Sequence, residues 1–441
     1  MKIKKEGIFV NFNTENVIKN LKEKLNIFNE LKDYDKNRLN IKEIESFNPN
    51  CEYEGIKAIT FDGLNRGDSK TKTFAYIGFP QKDLCKENEK VPAMVLVHGG
   101  AGYPFLRWVK EWNDRGFAAI AVSTVGVFPE RCGAGDKEGA IDKDWSHILK
   151  GVFEEEGYVS TPDNDDMIIR ETQNISDMWM YHAVSQVLLA GNVIGTYDVV
   201  DKNRIGAVGI SWGSVILSIA LGYNNNFSFA INVYGSGYLT QSLSFMRYKF
   251  ILPVVQDLFL AEKKFENVKI PVMWICMNND TAFSANSNSL SFRDTFKNNK
   301  NTVLSIKEGW IHGHSCCWDD INYPCGEIYE YAKSNVFSNV FPKLLSYADK
   351  INEKGEIWAE FLAPKNAKIK GTLFYMTEDY EYSIGADITK SHLANEWKKL
   401  DAEINNNRIS ANVPVDSKIC YLEIKIITSD KELVITSPMY Y

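Results

Sequence analysis

The stretch Ile205-Gly206-Ala207-Val208-Gly209-Ile210-Ser211-Trp212-Gly213-Ser214-Val215-Ile216-Leu217 decides how this chain is read. A short apolar run leads into Gly-Ile-Ser-Trp-Gly, and a helix-like run, Ser214 to Leu221, leads out of it. Strand, G-x-S-x-G and helix in that order make a nucleophile elbow, a sharp turn that presents a serine at the carboxyl end of a strand. Glycines two before and two after the serine are needed because larger side chains would collide at the turn. The context favours Ser211 as a nucleophile over a plain turn serine.

Working outward, Ala93-Met94-Val95-Leu96-Val97 is a continuous apolar run of the kind buried on both faces of a sheet. It ends in His98-Gly99-Gly100-Ala101-Gly102. A helix follows, with Phe105, Trp108, Val109 and Trp112 on one face and Gly116 closing it, and then a second buried strand, Phe117 to Val122. This β-α-β alternation predicts an α/β fold with a mostly parallel, doubly wound sheet. Phe229 to Tyr234, Val272 to Cys276 and Val303 to Lys307 extend the sheet, and residues 327 to 337 form a closing helix. Upstream, Ile56 to Phe61 and Thr73 to Phe79 read as antiparallel strands.

The remaining segments fit around this core. Residues 14 to 32 read as an amphipathic packing helix through Val17, Leu21, Leu25, Phe28 and Leu31, with residues 33 to 50 as loop. The Gly-, Asp- and Glu-rich segment 126–173 should hang over the carboxyl edge of the sheet, as a pocket wall or as a peripheral excursion. Residues 176 to 194 form a helix in which His182 is structural. Beyond about residue 352 the period switches to two, with polar turns, which predicts a small all-β sandwich. Expected boundaries are 1–52 for an N-terminal helical extension, 53–350 for the catalytic domain and 351–441 for the β-sandwich.

A serine hydroxyl needs a base to take its proton, and the base needs a group that orients it. In sheets of this kind the order is Ser, acid, His. Asp280 follows one later strand, and His312 and His314 follow the last. Asp280 is the candidate acid, read alternatively as a turn-capping aspartate, with Asp319 and Asp320 as fallbacks. His314 is preferred as base because a glycine precedes it and a small residue follows; His312 is the alternative. An oxyanion hole would use the backbone N–H of Trp212 and of Gly100, with Ala101 next. His98 then shapes the loop.

Composition narrows the function classes. The 441 residues are 44% hydrophobic and 24% charged, the profile of a globular chain. A net charge of −7 without a long basic run argues against a nucleic-acid partner. No apolar run is long enough to span a bilayer, and the first residues lack a secretory pattern, so a cytoplasmic location is expected with no membrane partner. Eight cysteines in this length do not make a disulfide framework, and Cys276 should be buried. His312, His314, Cys316, Cys317 and Cys325 include zinc-ligand types. Adjacent cysteines suit one tetrahedral ion poorly and there is no CxxC, so no metal and no cofactor are expected, and Cys316 and Cys317 read as pocket-lining thiols.

The motifs MVLVHGGAG, FLRWVKEWNDRGFAAIAV, RIGAVGISWGS, PVMWICMNNDTAF and HGHSCCW, in that order, resemble the acetylxylan esterase-like (cephalosporin-C deacetylase-like) α/β-hydrolases. The likeness is greatest to the bacterial subgroup with a C-terminal immunoglobulin-like β-domain, and it runs over about residues 55 to 441. The resemblance implies an α/β-hydrolase fold and a Ser-Asp-His esterase acting on acetyl or other short acyl esters, of small molecules or carbohydrates. It carries onto Ser211, Asp280 and the His312/His314 loop. Family members tend to have Gly and Pro after the second histidine, where this chain has Ser315-Cys316-Cys317, which bears on specificity. Two other readings are a prolyl oligopeptidase-like serine peptidase and a non-catalytic carbohydrate-binding protein. The first usually carries a β-propeller, for which the roughly fifty residues ahead of the hydrolase are too few. The intact Ser-Asp-His set argues against the second.

Overall fold

The apolar runs become the strands of one nine-stranded sheet: Lys42–Glu43 (β1), Lys57–Asp62 (β2), Lys72–Gly78 (β3), Val91–Val97 (β4), Ala118–Val122 (β5), Val200–Ile210 (β6), Phe229–Val233 (β7), Val272–Met277 (β8) and Val303–Lys307 (β9). The computed structural model describes residues 14–45, 47, 49, 53–84, 89–100, 103–125, 158–159, 161, 174–250, 253–310, 312, 326–337, 339–379, 382–383, 392–393, 396–429 and 431–441. The strand order is β1-β2-β3-β5-β4-β6-β7-β8-β9. β1 to β3 and the β3–β5 pair are antiparallel, and all pairs from β5 through β9 are parallel. This is the α/β-hydrolase arrangement. Every residue of β4, β5, β7 and β8 is buried, because helices cover both faces.

Chain order reverses beside β4: the chain first moves outward to β5, then returns to the other side of β4 with β6. Open α/β sheets bind ligands at such a switch point, above the carboxyl ends of the strands. Val97 of β4 pairs with Gly209 of β6, so the His98-Gly99-Gly100 loop and Ser211 emerge side by side there.

Helix Trp179–Gly195 is buried along its whole length. Its apolar residues have no solvent face, because the sheet lies on one side and the N-terminal segment on the other. That segment is helical over Thr14–Lys24 and continues as 3-10 turns to Asp33, so the expected single helix to 32 breaks at Leu25. Leu21, Leu25, Phe28 and Leu31 are buried as the spacing predicts. The Phe28 ring meets Tyr223 edge-on at 5.0 Å and Tyr181 at 5.4 Å. Asn192 reaches back from the buried helix to donate to the Leu31 and Tyr34 carbonyls. The residues expected as loop before 53 contain β1, so this extension adds an edge strand to the main sheet. Of the segment 126–173, only Tyr158, Val159 and Thr161 are described, so the expected pocket wall lies outside the described residues.

The C-terminal residues form two four-stranded antiparallel sheets. One runs Lys343–Tyr347 (β10), Glu356–Leu362 (β11), Arg408–Asn412 (β17), Glu403–Asn405 (β16). The other runs Lys398–Asp401 (β15), Lys368–Met376 (β12), Ile419–Ile427 (β18), Glu432–Thr436 (β19). A two-residue hairpin pair, Tyr382–Ser383 (β13) and His392–Leu393 (β14), lies between β12 and β15 in sequence. The two larger sheets pack face to face: a Cβ on Gly371 would lie 2.8 Å from the Ile409 side chain of the other sheet. β10, which precedes residue 351, pairs with β11 in the first of these sheets. Lys343-Leu344-Leu345-Ser346-Tyr347 hides its alternation because Leu345 is 45% exposed on the outer face while Leu344 is buried. β19 lies against β9, which covers the outer edge of the main sheet.

Candidate active site

β6 runs straight into the helix Trp212–Ala220, and Ser211 is the residue at the corner. Its backbone has φ 55° and ψ −120°, a region that L-residues rarely occupy and that costs on the order of 1–3 kcal/mol. The surroundings hold it there. Ser211 N–H donates to the Val233 carbonyl at 2.9 Å, and the Ser211 carbonyl accepts from Ser214 (2.9 Å) and Val215 (3.1 Å). The flanking glycines are required by contact. A Cβ on Gly209 would lie 2.4 Å from the Gly213 carbonyl oxygen, and one on Gly213 would lie 2.3 Å from that of Val97. Gly235, at the end of the next strand, would bring a Cβ 2.3 Å from the Ser211 carbonyl oxygen. Three glycines thus let three strand ends close around one serine.

The loop after β8 brings Asp280, which is 2% exposed. Its two oxygens divide the two readings of this residue between them. Oδ1 accepts the backbone N–H groups of Ala282 (2.7 Å) and Phe283 (3.0 Å), as a turn aspartate does. Oδ2 lies 3.0 Å from Nδ1 of His312. On its other side, His312 places Nε2 2.8 Å from Ser211 Oγ. A carboxylate oxygen at Nδ1 calls for the proton on that nitrogen, which leaves the Nε2 lone pair facing the serine hydroxyl. The imidazole packs against Tyr234 (centroids 4.5 Å apart) and Phe283 (6.0 Å).

The structure therefore brings together Ser211, Asp280 and His312, residues that lie 101 and 32 positions apart in the chain. The position that sequence reading assigned first to His314 is filled by His312, its alternative. His314, the fallback acids Asp319 and Asp320, Ala101, and Cys316, Cys317 and Cys325 lie outside the described residues. Among the described residues no group of three metal-ligating side chains gathers, and His312 is the one described member of the candidate zinc set.

Trp212 is the first residue of its helix, so its N–H has no acceptor within the helix and lies at the positive end of the helix dipole. Gly100 lies next to it, for a reason the sequence does not reveal. A Cβ there would be 2.4 Å from Cδ1 of the Trp212 indole, so the glycine makes room for that ring. The ring also meets Trp179 and Phe283 at 5.7 Å and Phe250 at 6.0 Å, an aromatic cluster beside the serine. Phe250 belongs to a run of 3-10 turns and short helix between Leu239 and Asn267 that no apolar periodicity announces.

His98 shapes the β4 loop. Nδ1 donates to the Gly99 carbonyl at 2.8 Å and Nε2 accepts from the Thr124 N–H at 3.1 Å. Burial pushes its pKa down to about 4, only partly offset by the Gly99 carbonyl. His182 is likewise structural: it reaches the Ser176 carbonyl at 2.7 Å, and burial lowers it to about 4. Cys276 is free and buried.

Three contacts were invisible in the sequence. Lys307, the last residue of β9, pairs with Glu327, in the first turn of helix Gly326–Val336. These residues flank the stretch of chain that carries His312, and Glu327 is fully buried. From the sandwich, Trp397 and Tyr421 both bond Asn278, two residues before Asp280.

No family model matches the chain, and no curated protein does. Solved structures similar to it include an acetyl xylan esterase from a Paenibacillus species, 13% identical, with a TM-score of 0.46 over 71% of this chain and 94% of that one. Acetyl xylan esterase 1 from a Thermoanaerobacterium species is also 13% identical, with a TM-score of 0.43 over 72% and 93%. An acylaminoacyl peptidase from Pyrococcus horikoshii is 18% identical with a TM-score of 0.40; the match covers 65% of this chain and 40% of the peptidase's length. At these identities the functional argument rests on the geometry of the site.

Proposed function

We propose that the chain is a serine esterase in which Ser211 is the nucleophile, His312 the base and Asp280 the orienting acid. One observation carries the reading: the unbroken line from Ser211 Oγ to His312 Nε2 at 2.8 Å and from His312 Nδ1 to Asp280 Oδ2 at 3.0 Å, on a serine in the strained elbow conformation. In the first half-reaction Oγ attacks the ester carbonyl carbon while its proton passes to Nε2. Asp280 keeps the ring in register and stabilises the imidazolium. The carbonyl oxygen takes up negative charge and is received by the N–H groups of Trp212 and Gly100. When the intermediate collapses, the alcohol leaves with the proton from Nε2 and an acyl-enzyme remains on Ser211. Water then enters, gives its proton to Nε2, and releases the acid by the same steps in reverse.

The aromatic cluster of Trp212, Phe250, Phe283 and Trp179 beside the serine suits an apolar acyl group. The motif resemblance favours acetyl and other short acyl chains, on small-molecule or carbohydrate alcohols. The test is Ser211→Ala. Turnover of p-nitrophenyl acetate should vanish while the circular dichroism spectrum and Tm stay those of the parent. A folded Ser211→Ala protein with parental turnover would remove the assignment. Rates across acetyl, butyryl and longer esters then give the acyl range.

A further inference from the structure

We propose that the C-terminal sandwich is a working part of the catalytic centre: Trp397 and Tyr421 hold Asp280 in place through Asn278, as positioning residues. The inference rests on the esterase reading above. Asn278 is the first residue beyond β8, and its own N–H donates to the carbonyl of Lys307 at the end of β9, at 3.0 Å. It therefore joins the two strand ends from which Asp280 and His312 depart. The sandwich takes two of its other polar groups. Trp397 Nε1 donates to the Asn278 carbonyl at 3.0 Å, and Asn278 Nδ2 donates to the Tyr421 hydroxyl at 3.2 Å.

Both sandwich residues are fixed before they reach Asn278. Tyr421 is fully buried and stacks flat on Phe374, with centroids 5.0 Å apart and planes within 2°. The Trp397 ring meets its edge at 5.2 Å. Only Asn279 separates Asn278 from the acid, so the two Cα atoms are at most about 7 Å apart along the chain. A turn this short transmits a rotation at Asn278 to the carboxylate, and Asp280 must hold His312 within a few tenths of an ångström for proton transfer. The neighbouring Lys399–Glu308 pair is half-exposed on both sides and adds little.

The docking of the sandwich does not depend on these two bonds. Met439 N–H donates to Ser289 Oγ at 2.8 Å, and Arg293 donates to the Met439 carbonyl at 3.1 Å, elsewhere along the junction. Tyr421→Phe therefore removes its bond to Asn278 while keeping the ring, and Trp397→Phe removes its bond while keeping an aromatic ring beside Tyr421, with the docking bonds untouched in both.

The experiment uses the full chain with 15N-labelled histidines. It reads kcat and KM for p-nitrophenyl acetate, the pH dependence of kcat/KM, the His312 titration by NMR and the Tm. In each variant kcat should fall about tenfold with KM within twofold, the loss that a small displacement of a catalytic group brings. The His312 titration and the acidic limb of kcat/KM should move together to lower pH, because a displaced carboxylate stabilises the imidazolium less. Ile409→Val, in the sandwich core away from Asn278, controls for general destabilisation and should move neither. Parental kcat and an unmoved titration in folded variants, or the same shift in Ile409→Val, would overturn the proposal. The two failures are separable. If Ser211→Ala leaves hydrolysis intact the esterase reading fails, whereas the NMR titration reports the positioning of Asp280 without any turnover.

Discussion

The two sides of the proposed active site are built by different means. On one side, Ser211 is held by its own strand, its own helix and three glycines, and the residues that force its geometry lie within 25 positions of it, apart from the Val97 and His98 carbonyls of the adjoining strand. On the other, His312 and Asp280 stand on loops, and their supports come from far along the chain: Glu327 through its pair with Lys307, and Trp397 and Tyr421 from another sheet. A nucleophile elbow is a local code, and its motif can be read. The proposed base and acid are placed by tertiary contacts, and their exact partners cannot be read from spacing. The two sides should therefore break differently.

The largest effect is expected on the loop side. Lys307→Met leaves the buried Glu327 carboxylate without its partner, which should cost about 3–5 kcal/mol of stability. Adding Glu327→Leu should restore most of the stability, because a buried pair is often replaceable by apolar packing. Denaturant unfolding of the single and double variants measures both. A single variant as stable as the parent would show that the fold does not need this ion pair.

The elbow side should respond to acid. His98 and His182 are buried and neutral, with pKa values lowered to about 4, against about 6.5 in an unfolded chain. Between these values the unfolded state binds the proton and the native state does not, so stability rises with pH through this window and falls on acidification from about 6.5 to 4. Each histidine contributes a loss of about 3 kcal/mol once both states are below their pKa. His98→Gln should flatten the Tm-against-pH curve over this range. An unchanged slope in that variant would contradict the buried, neutral assignment.

The smallest effect tests the local code itself. Gly213→Ala would set a Cβ 2.3 Å from the Val97 carbonyl oxygen and force the helix start away from β4. Turnover should fall about a hundredfold, since a displacement near 1 Å at a reacting group costs that much. Parental activity in this variant would mean that the elbow tolerates a side chain that its geometry excludes.

The same division governs what the sequence disclosed. Val303 to Lys307 and the runs at β4, β5, β7 and β8 were legible because burial on both faces leaves a continuous apolar signature. The all-β character of the C-terminal part followed from period two, but β10 did not, because Leu345 points outward and masks the alternation. The segment that carries Phe250 has neither period, so the aromatic neighbour of Trp212 could not be foreseen. Gly100 was expected for its backbone N–H; that a side chain there would run into the Trp212 indole could not be read from the sequence. Between His312 and His314 the sequence offered only the size of neighbouring residues, and that favoured His314. The position beside Ser211 is taken by His312, two residues earlier, because Asp280 and Tyr234 meet the ring there.

That choice of histidine is the central claim, and paired substitution tests it. p-Nitrophenyl acetate turnover is measured for His312→Asn and His314→Asn at equal, verified folding. The account predicts that His312→Asn loses at least about a thousandfold in kcat, as expected for removing a general base from such a triad, while His314→Asn stays within a few-fold of the parent. The reverse pattern, with His314→Asn inactive and His312→Asn near the parent, would contradict it.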